Sequence, residues 1–382
     1  MLKLIKNLSK NNHVINYSTQ AAILNENVSQ VFRSSENSPT KQTSQNLGQF
    51  YEIDTNVKKK LFQQGGLPKS FEIQTKTFGE CCLMVRNPAL DIINCLKNLN
   101  FTKPTTRFVL YGKKGSGKSL TMAHVIHFAS ENNYLIVHVP WVANWMRKCK
   151  EYANSTTKEG YVDLPIDSAT WLVHFRTQNA HLLSDLLTSN DYVWSKREST
   201  PKGSKLIELV EHGINRIKFA SDCIVAIAEE IKILSTQGKC KTLVAIDGFN
   251  AFFYPHTRVY TDAKVAVPPN KVRLTDAFLS LTQCDWSNGS IVVTVDEQAV
   301  PEKDHGSHYP FYLLGKSGFE HLDPFVPILV PEYTSKEFES CMKYYRDRLW
   351  VQTVGDPQTQ NEELYFLSGL NPYRLMKICA PL

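Results

Sequence analysis

The stretch RFVLYGKKGSGKSL, residues 107–120, limits what this chain can fold into more than any other. RFVLYG is an apolar, β-rich run, and KSLTMAHVIHFASEN carries Leu120, Val125, Phe128 and Ala129 near helical spacing. Between them lies the pattern G-x-x-x-x-G-K-S, with Gly112, Gly117, Lys118 and Ser119 at its fixed positions. A strand that turns through glycines directly into a helix aims successive backbone N–H groups and the helix N-terminus at one point, where an anion binds. In such a loop the lysine reaches the β- and γ-phosphates of a nucleotide and the serine hydroxyl completes a Mg²⁺ shell. The expected nucleotide contacts are therefore Gly112, Lys113, Lys114, Gly115, Ser116, Gly117, Lys118, Ser119 and Leu120, with Ser119 also a metal ligand.

A phosphate loop needs a second, acidic metal ligand at the end of a neighbouring strand. KTLVAIDGFNAFF (241–253) supplies one, since Leu243–Ile246 reads as a buried strand and Asp247 falls at its C-terminal edge, where parallel sheets bind ligands. The alternative is a plain Asp-Gly turn. SIVVTVDE (290–297) is a third buried strand ending in Thr294 and Asp296. Beside the Asp247 strand these residues offer a polar group to a γ-phosphate or an attacking water, or else they mark an ordinary strand end with an exposed acid. YLIVHVP (134–140) and FVPILVP (325–331) read as further parallel strands, which gives an α/β sheet with helices on both faces.

Two absences bear on chemistry. Many hydrolases of this kind place a glutamate directly after the metal aspartate to activate water, but Asp247 is followed by Gly248, Phe249 and Asn250, and an amide is a poor base. The N/T-K-x-D tetrapeptide that reads guanine in small GTPases is also missing, so the base is not legible from motifs. No catalytic residue is assigned, and hydrolysis is expected to be weak at most.

The rest of the 382 residues adds context. The net charge of +6 permits contact with RNA without arguing for it. Nine cysteines without a C-x-x-C suit reduced thiols, mostly buried, and no zinc site. No apolar run approaches the roughly 20 residues of a membrane span. The first acidic residue is Glu26, and Lys3, Lys6 and Lys10 alternate with Leu2, Leu4, Ile5 and Leu8, the pattern of an organelle transit peptide. We place it at 1–20 and expect a disordered linker over 21–49, because RSSENSPTKQTSQNLGQ (33–49) is polar and low in complexity.

Residues 141–238 read as a mostly helical insertion, with Gly213 a break in its last long helix. YVWSKREST (192–200) is either a loop pinned by Trp194 or an RNA-stacking segment, and 254–274 is a basic, proline-bearing loop suited to a phosphate backbone or a partner protein. Thr334 and Glu337 fit a capping box opening a helix whose apolar face is Phe338, Cys341, Tyr345 and Leu349. With the last twenty residues it makes a small helical lid. Arg346, Arg348 and Arg374 there are candidates for phosphate contact, the plainer reading being solvent-facing cations.

Taken together, CLMVRNPAL, LYGKKGSGKSL, HVIHF, YVWSKREST, LVAIDGFNA, LGKSGFEHLDPFVPILV and EFESCMKYY resemble the death-associated-protein family, nucleotide-binding proteins of the mitochondrial small ribosomal subunit. The resemblance runs from about residue 50 to the C-terminus. It implies an AAA-like P-loop NTPase core over 50–331 carrying the 141–238 insertion, and the helical lid over 332–382. It further implies bound GTP or GDP with Mg²⁺ on Ser119 and Asp247, with Arg86 and Pro88 packing near the base and ribose. The implied setting is the head of the small subunit in the mitochondrial matrix. Partners there are small-subunit rRNA, neighbouring head proteins and, through intersubunit bridges, the large subunit. The family is also linked to apoptosis, on which these residues are silent. The competing readings are an active P-loop NTPase switch, which should show a water-activating glutamate and an arginine finger, and a small-molecule kinase, for which no acceptor pocket is legible.

Overall fold

The structure, a computed structural model, describes residues 31–261, 264–301, 306–351 and 356–380. The 1–20 segment expected to be a transit peptide lies outside them. β1 (Phe50–Glu52), α1 (Thr55–Phe62), α2 (Lys69–Phe78), β2 (Cys82–Met84) and α3 (Asn87–Asn98) lead to the motif strand β3 (Thr106–Tyr111) and motif helix α4 (Lys118–Glu131). Next come β4 (Tyr134–Val139), α5 (Val142–Arg147), the short pair β5 (Ala153–Asn154) and β6 (Val162–Asp163), and α6 (Pro165–Leu183). The hairpin β7 (Tyr192–Ser195) and β8 (Glu198–Thr200) precedes α7 (Leu206–Asn215) and α8 (Ala220–Thr236). β9 (Lys241–Ile246), α9 (Arg273–Leu281), β10 (Gly289–Thr294), α10 (Pro310–Leu322) and β11 (Val326–Leu329) follow. The C-terminal region holds α11 (Ser335–Asp347), α12 (Pro357–Ser368) and α13 (Pro372–Cys379).

Five of the strands form one sheet in the order β11-β3-β10-β9-β4, with every pairing parallel. The apolar runs read from the sequence supply all five. Because side chains alternate across a pleat, each run feeds two cores. Val109, Val137, Val244, Ile246, Ile291 and Val293 point to the face packed by α6, α8 and α9, while Phe108, Leu110, Ile136, Leu243, Ala245 and Val292 point to the face packed by α3 and α4. Helix α4 is buried over Thr121–Ala129 without a polar side, since the sheet lies beneath it and the β1–α3 layer covers it. A helix held on both sides gives the loop that precedes it a fixed platform. Parallel order also brings the segments after β3, β9 and β10 to one sheet edge.

Three sequence expectations change. Residues 33–49 are not a loose linker along their described length. Gly48 and Gln49 exchange backbone hydrogen bonds with Val85, the Arg33 guanidinium meets Glu80 (2.8 Å) and Asp347 (3.3 Å), and Gln42 is buried. Several of the stretch's polar groups are used in these contacts, which composition does not reveal. Gly213 does not break its helix but lies within α7, where a Cβ would stand 2.5 Å from Leu172 Cδ1 and 2.9 Å from Cys223 Cβ. The break falls at Arg216–Phe219. Leu349 lies beyond the end of α11 at φ 55° and is 82% exposed, so the apolar face is Phe338, Cys341 and Tyr345.

The C-terminal helices do not form a core by themselves. Phe338, Cys341, Met342, Tyr344 and Tyr345 of α11 and Leu375 of α13 pack with Phe50, Phe78 and Cys82, so the lid shares its core with the N-terminal layer. The Thr334–Glu337 capping box is present in full.

The Gly213 contact makes a prediction with a definite sign. Alanine is the better helix former by about 1 kcal/mol, but here its methyl group must displace Leu172 and Cys223, and overpacking costs about 1–3 kcal/mol. Gly213→Ala should therefore lower the unfolding free energy in urea titration. A more stable variant would show that α6 and α8 yield freely at this contact.

Candidate nucleotide site

The 112–119 loop owes its shape to three glycines. Gly112 has φ 145°, and a Cβ there would fall 2.4 Å from the Val330 carbonyl oxygen. Gly115 has φ 81° and would meet Asn371 Oδ1 and Tyr373 Cβ at 2.7 Å. Gly117, φ 104°, caps α4 in a conformation that side chains resist. Every carbonyl from Gly112 to Gly117 is engaged by protein. Lys118 Nζ donates to Gly112 O (2.7 Å) and Lys113 O (3.0 Å), Asn371 Nδ2 to Lys114 O (2.9 Å), Tyr373 N to Gly115 O (3.1 Å), Arg86 Nη1 to Ser116 O (2.7 Å) and Thr121 N to Gly117 O (2.9 Å). Among the described residues no acceptor takes the N–H groups of Gly115, Gly117 or Lys118. The Ser116 hydroxyl is likewise buried without a partner. A loop with its acceptors satisfied and its donors unspent has the chemistry of an anion cradle.

Lys118, almost wholly buried, also contacts Asp296 Oδ2 at 2.9 Å. Asp247 sits at the end of β9, fully buried, and accepts hydrogen bonds from Thr294 Oγ1 and Ser119. Burial pushes its carboxyl up to about 6, and the Asp296 charge adds to the rise. The Ser119 and Thr294 hydrogen bonds and the Lys118 charge pull it back. The expected metal ligands Ser119 and Asp247 are thus brought together, with the loop lysine beside them. Among the described residues no group of three or more His, Cys, Asp or Glu forms a metal cage. A hydroxyl and one carboxylate fit Mg²⁺, which fills its remaining positions with water and phosphate oxygen.

Asn250, which stands where a water-activating base would be sought, is tied to the Asp296 backbone. Its Nδ2 donates to Asp296 O and its Oδ1 accepts from Asp296 N, each at 3.0 Å. The side chain is wholly buried.

Arg86 lines the cleft around the loop and also braces the loop itself. Its Nε donates to Glu337 Oε1 (3.0 Å), Nη1 to Ser116 O, and Nη2 to Pro331 O and Glu332 O (both 3.0 Å), over the Tyr333 ring. Pro88 is buried in the first turn of α3 and does not line the cleft around the loop. That cleft, about 1130 Å³, is closed instead by Leu67, Pro68 and Phe71 on one side and by Tyr373 and Met376 of α13 on another. Arg147 of α5 lines it too and donates to Gln298 O at 2.6 Å. Apart from the Gly65-Gly66 turn signal, no motif marks these walls. Lys114 and Leu120 line the cleft, whereas Lys113 pairs with Glu332 at 2.7 Å. Arg346 and Arg348 are committed to Gln360, Asn361, Glu80 and Asp347. Trp194 donates to Thr200 and stacks between Tyr192 and His212, which pins the hairpin.

A parallel five-stranded sheet, a glycine loop opening a buried helix and an aspartate at the end of a strand in the same sheet define an α/β protein of the P-loop NTPase type. Residues 83–378 match the family described as Mitochondrial ribosomal death-associated protein 3, and the chain belongs to it. It is 41% identical to the Bos taurus "Small ribosomal subunit protein mS29" over 351 residues, 92% of this chain and 88% of the relative. The Mus musculus protein of the same name is 40% identical over 353 residues, 92% of this chain and 90% of that one. Among solved structures, a chain in "Structure of E. coli MS115-1 HORMA:CdnC:Trip13 complex" overlaps 84% of this chain and 80% of its own length, with 11% identity and a TM-score of 0.30. So loose an overlap adds nothing to the strand order.

The raised carboxyl of Asp247 predicts a pH-dependent cost. The folded state favours the protonated acid, so stability falls as pH rises from the ordinary aspartate value of 3.8 through about 6. Asp247→Asn keeps an acceptor for Ser119 and Thr294 and removes the charge. Without nucleotide, its advantage over wild type should grow across that window and level off above it, at no more than about 3 kcal/mol by linkage. Urea titrations at a series of pH values check this, and a pH-independent difference would mean that Asp247 titrates normally.

Proposed function

We propose that this chain is a structural component of the mitochondrial small ribosomal subunit that holds a guanine nucleotide with Mg²⁺ as part of its folded architecture. The observation that carries the reading is the bracing of the loop, with the carbonyls of Lys114, Gly115 and Ser116 tied to Asn371, Tyr373 and Arg86. A loop so fixed suits a resident ligand better than one exchanged through a moving switch. Membership of the family and the name carried by the bovine and mouse relatives support the ribosomal setting.

In this reading the loop N–H groups and Lys118 hold the phosphates, and Ser119 and Asp247 hold Mg²⁺, which supplies neutralising charge. The cleft walls from Leu67 to Phe71 and from Tyr373 to Met376 enclose the base. Hydrolysis is slow at most, because Gly248 stands in the place of a base and Asn250, an amide and so a poor base, is buried against Asp296. The protein works in the mitochondrial matrix, in the head of the subunit, against rRNA, neighbouring head proteins and the large subunit. No described helix is long and apolar enough to cross a membrane. The second reading, an active NTPase switch, draws on Arg147, a cleft-lining arginine in cis.

Lys118→Ala should abolish nucleotide binding in a fluorescent-nucleotide titration and reduce incorporation into the small subunit on sucrose gradients. Assembly at wild-type levels would overturn the structural role. Mass spectrometry of nucleotide released from the purified protein should find GTP or GDP. Finding ATP would overturn the guanine assignment, and rapid turnover of added GTP would favour the switch.

A further inference from the structure

An ammonium group has three N–H donors, and in Lys118 all three are filled. Two go to the carbonyls of Gly112 and Lys113 and the third to the Asp296 carboxylate. Any phosphate that reaches this lysine must displace one of these partners, and only Asp296 is itself an anion. Asp296 is poorly able to withdraw. Its Oδ1 accepts from Gln298 N (2.8 Å), capping the turn at Glu297–Ala299, and its own N–H and carbonyl are both held by Asn250. Further cations line the cleft at Lys69, Lys114, Arg147 and Lys148. Arg86 is spent on Glu337, and Arg147 is held on the Gln298 carbonyl. Asp247, on the adjacent strand, brings a second carboxylate to the same lysine.

We propose that Asp296 is a specificity-determining residue: its fixed carboxylate competes with a terminal phosphate for Lys118 and sets the site toward a nucleoside diphosphate over the triphosphate. This rests on the nucleotide reading above. A triphosphate brings one more anionic group than a diphosphate toward two carboxylates, one of them already on Lys118, and like charges a few ångströms apart repel strongly where water is scarce. The discrimination is steepest without Mg²⁺ and shrinks when the metal is supplied.

The test compares the full chain as wild type, Asp296→Asn and Asp296→Ser by titration calorimetry with GDP and GTP, in EDTA and in Mg²⁺. Asparagine and serine both preserve the cap on Gln298, so two variants of different size guard against a local folding effect. Wild type should prefer GDP in EDTA, and both variants should gain about tenfold more affinity for GTP than for GDP, with a smaller change in Mg²⁺. An unchanged GTP-to-GDP ratio in both variants, with binding intact, would overturn the role of Asp296 and leave the nucleotide reading standing. Wild type that binds neither nucleotide would overturn both.

Discussion

The guanidinium of Arg86 joins parts of the chain that are distant in sequence. It reaches Ser116 in the loop, the backbone of Pro331 and Glu332 after the last strand, and Glu337 in the first turn of α11. Glu337 is also the capping-box residue, accepting from Thr334 N at 2.8 Å through its other oxygen. One carboxylate therefore fixes both the start of the C-terminal helix and the arginine that props the loop. Both side chains are nearly buried, and removing one partner of such a pair costs about 3–5 kcal/mol because the other charge is stranded. The geometry is also one that lysine could not reproduce, since a point charge cannot serve four acceptors in a plane.

That anchor explains why the loop and the C-terminal region belong to one mechanical unit. The lid shares its core with Phe50, Phe78 and Cys82 at the other end of the chain, and Arg33 ties the same region to Glu80 and Asp347. The loop is therefore built into a seam between the sheet and a composite N- and C-terminal layer. Around it the charge balance is unusual. Two carboxylates, Asp247 and Asp296, face one lysine, and burial together with the Asp296 charge raises Asp247 against the pull of Ser119, Thr294 and Lys118.

Much of this was legible in the sequence, for identifiable reasons. Four of the sheet's strands announce themselves because buried parallel strands are continuous apolar runs, the edge strand β11 is apolar though largely exposed, and the loop is legible because positive φ at Gly112, Gly115 and Gly117 admits little else. The capping box was readable because Thr334 and Glu337 are local partners. What was hidden depends on contacts between distant segments. Nothing in RSSENSPTKQTSQNLGQ tells that its polar atoms find Val85, Glu80 and Glu131. Arg86 stands out in VRNPAL, but the groups it bonds lie 30 to 251 residues away. Asp296 is ambiguous from sequence because its setting depends on Asn250, in the turn after β9, bonding its backbone. Gly213 looked like a helix break because helix propensity is local, whereas its purpose is a close approach to α6 and α8.

The same contacts bear on whether a bound nucleotide here should cycle. A ligand that binds only the folded state stabilises it by mass action, about 4 kcal/mol at a thousandfold excess over its dissociation constant. A switch converts part of that energy into movement, which requires the loop or its surroundings to have a second arrangement of similar free energy. Here the loop's carbonyls from Gly112 to Gly117 are all engaged, three of them by groups that lead directly into the shared N- and C-terminal core. Shifting the loop would strand buried carbonyls and unseat Arg86 from Glu337 together, and each stranded group costs about 1–3 kcal/mol. The binding energy is therefore better retained as stability than released as motion. A site of this kind gains most from a ligand that stays, and a fixed acid beside Lys118 that disfavours the terminal phosphate works in the same direction.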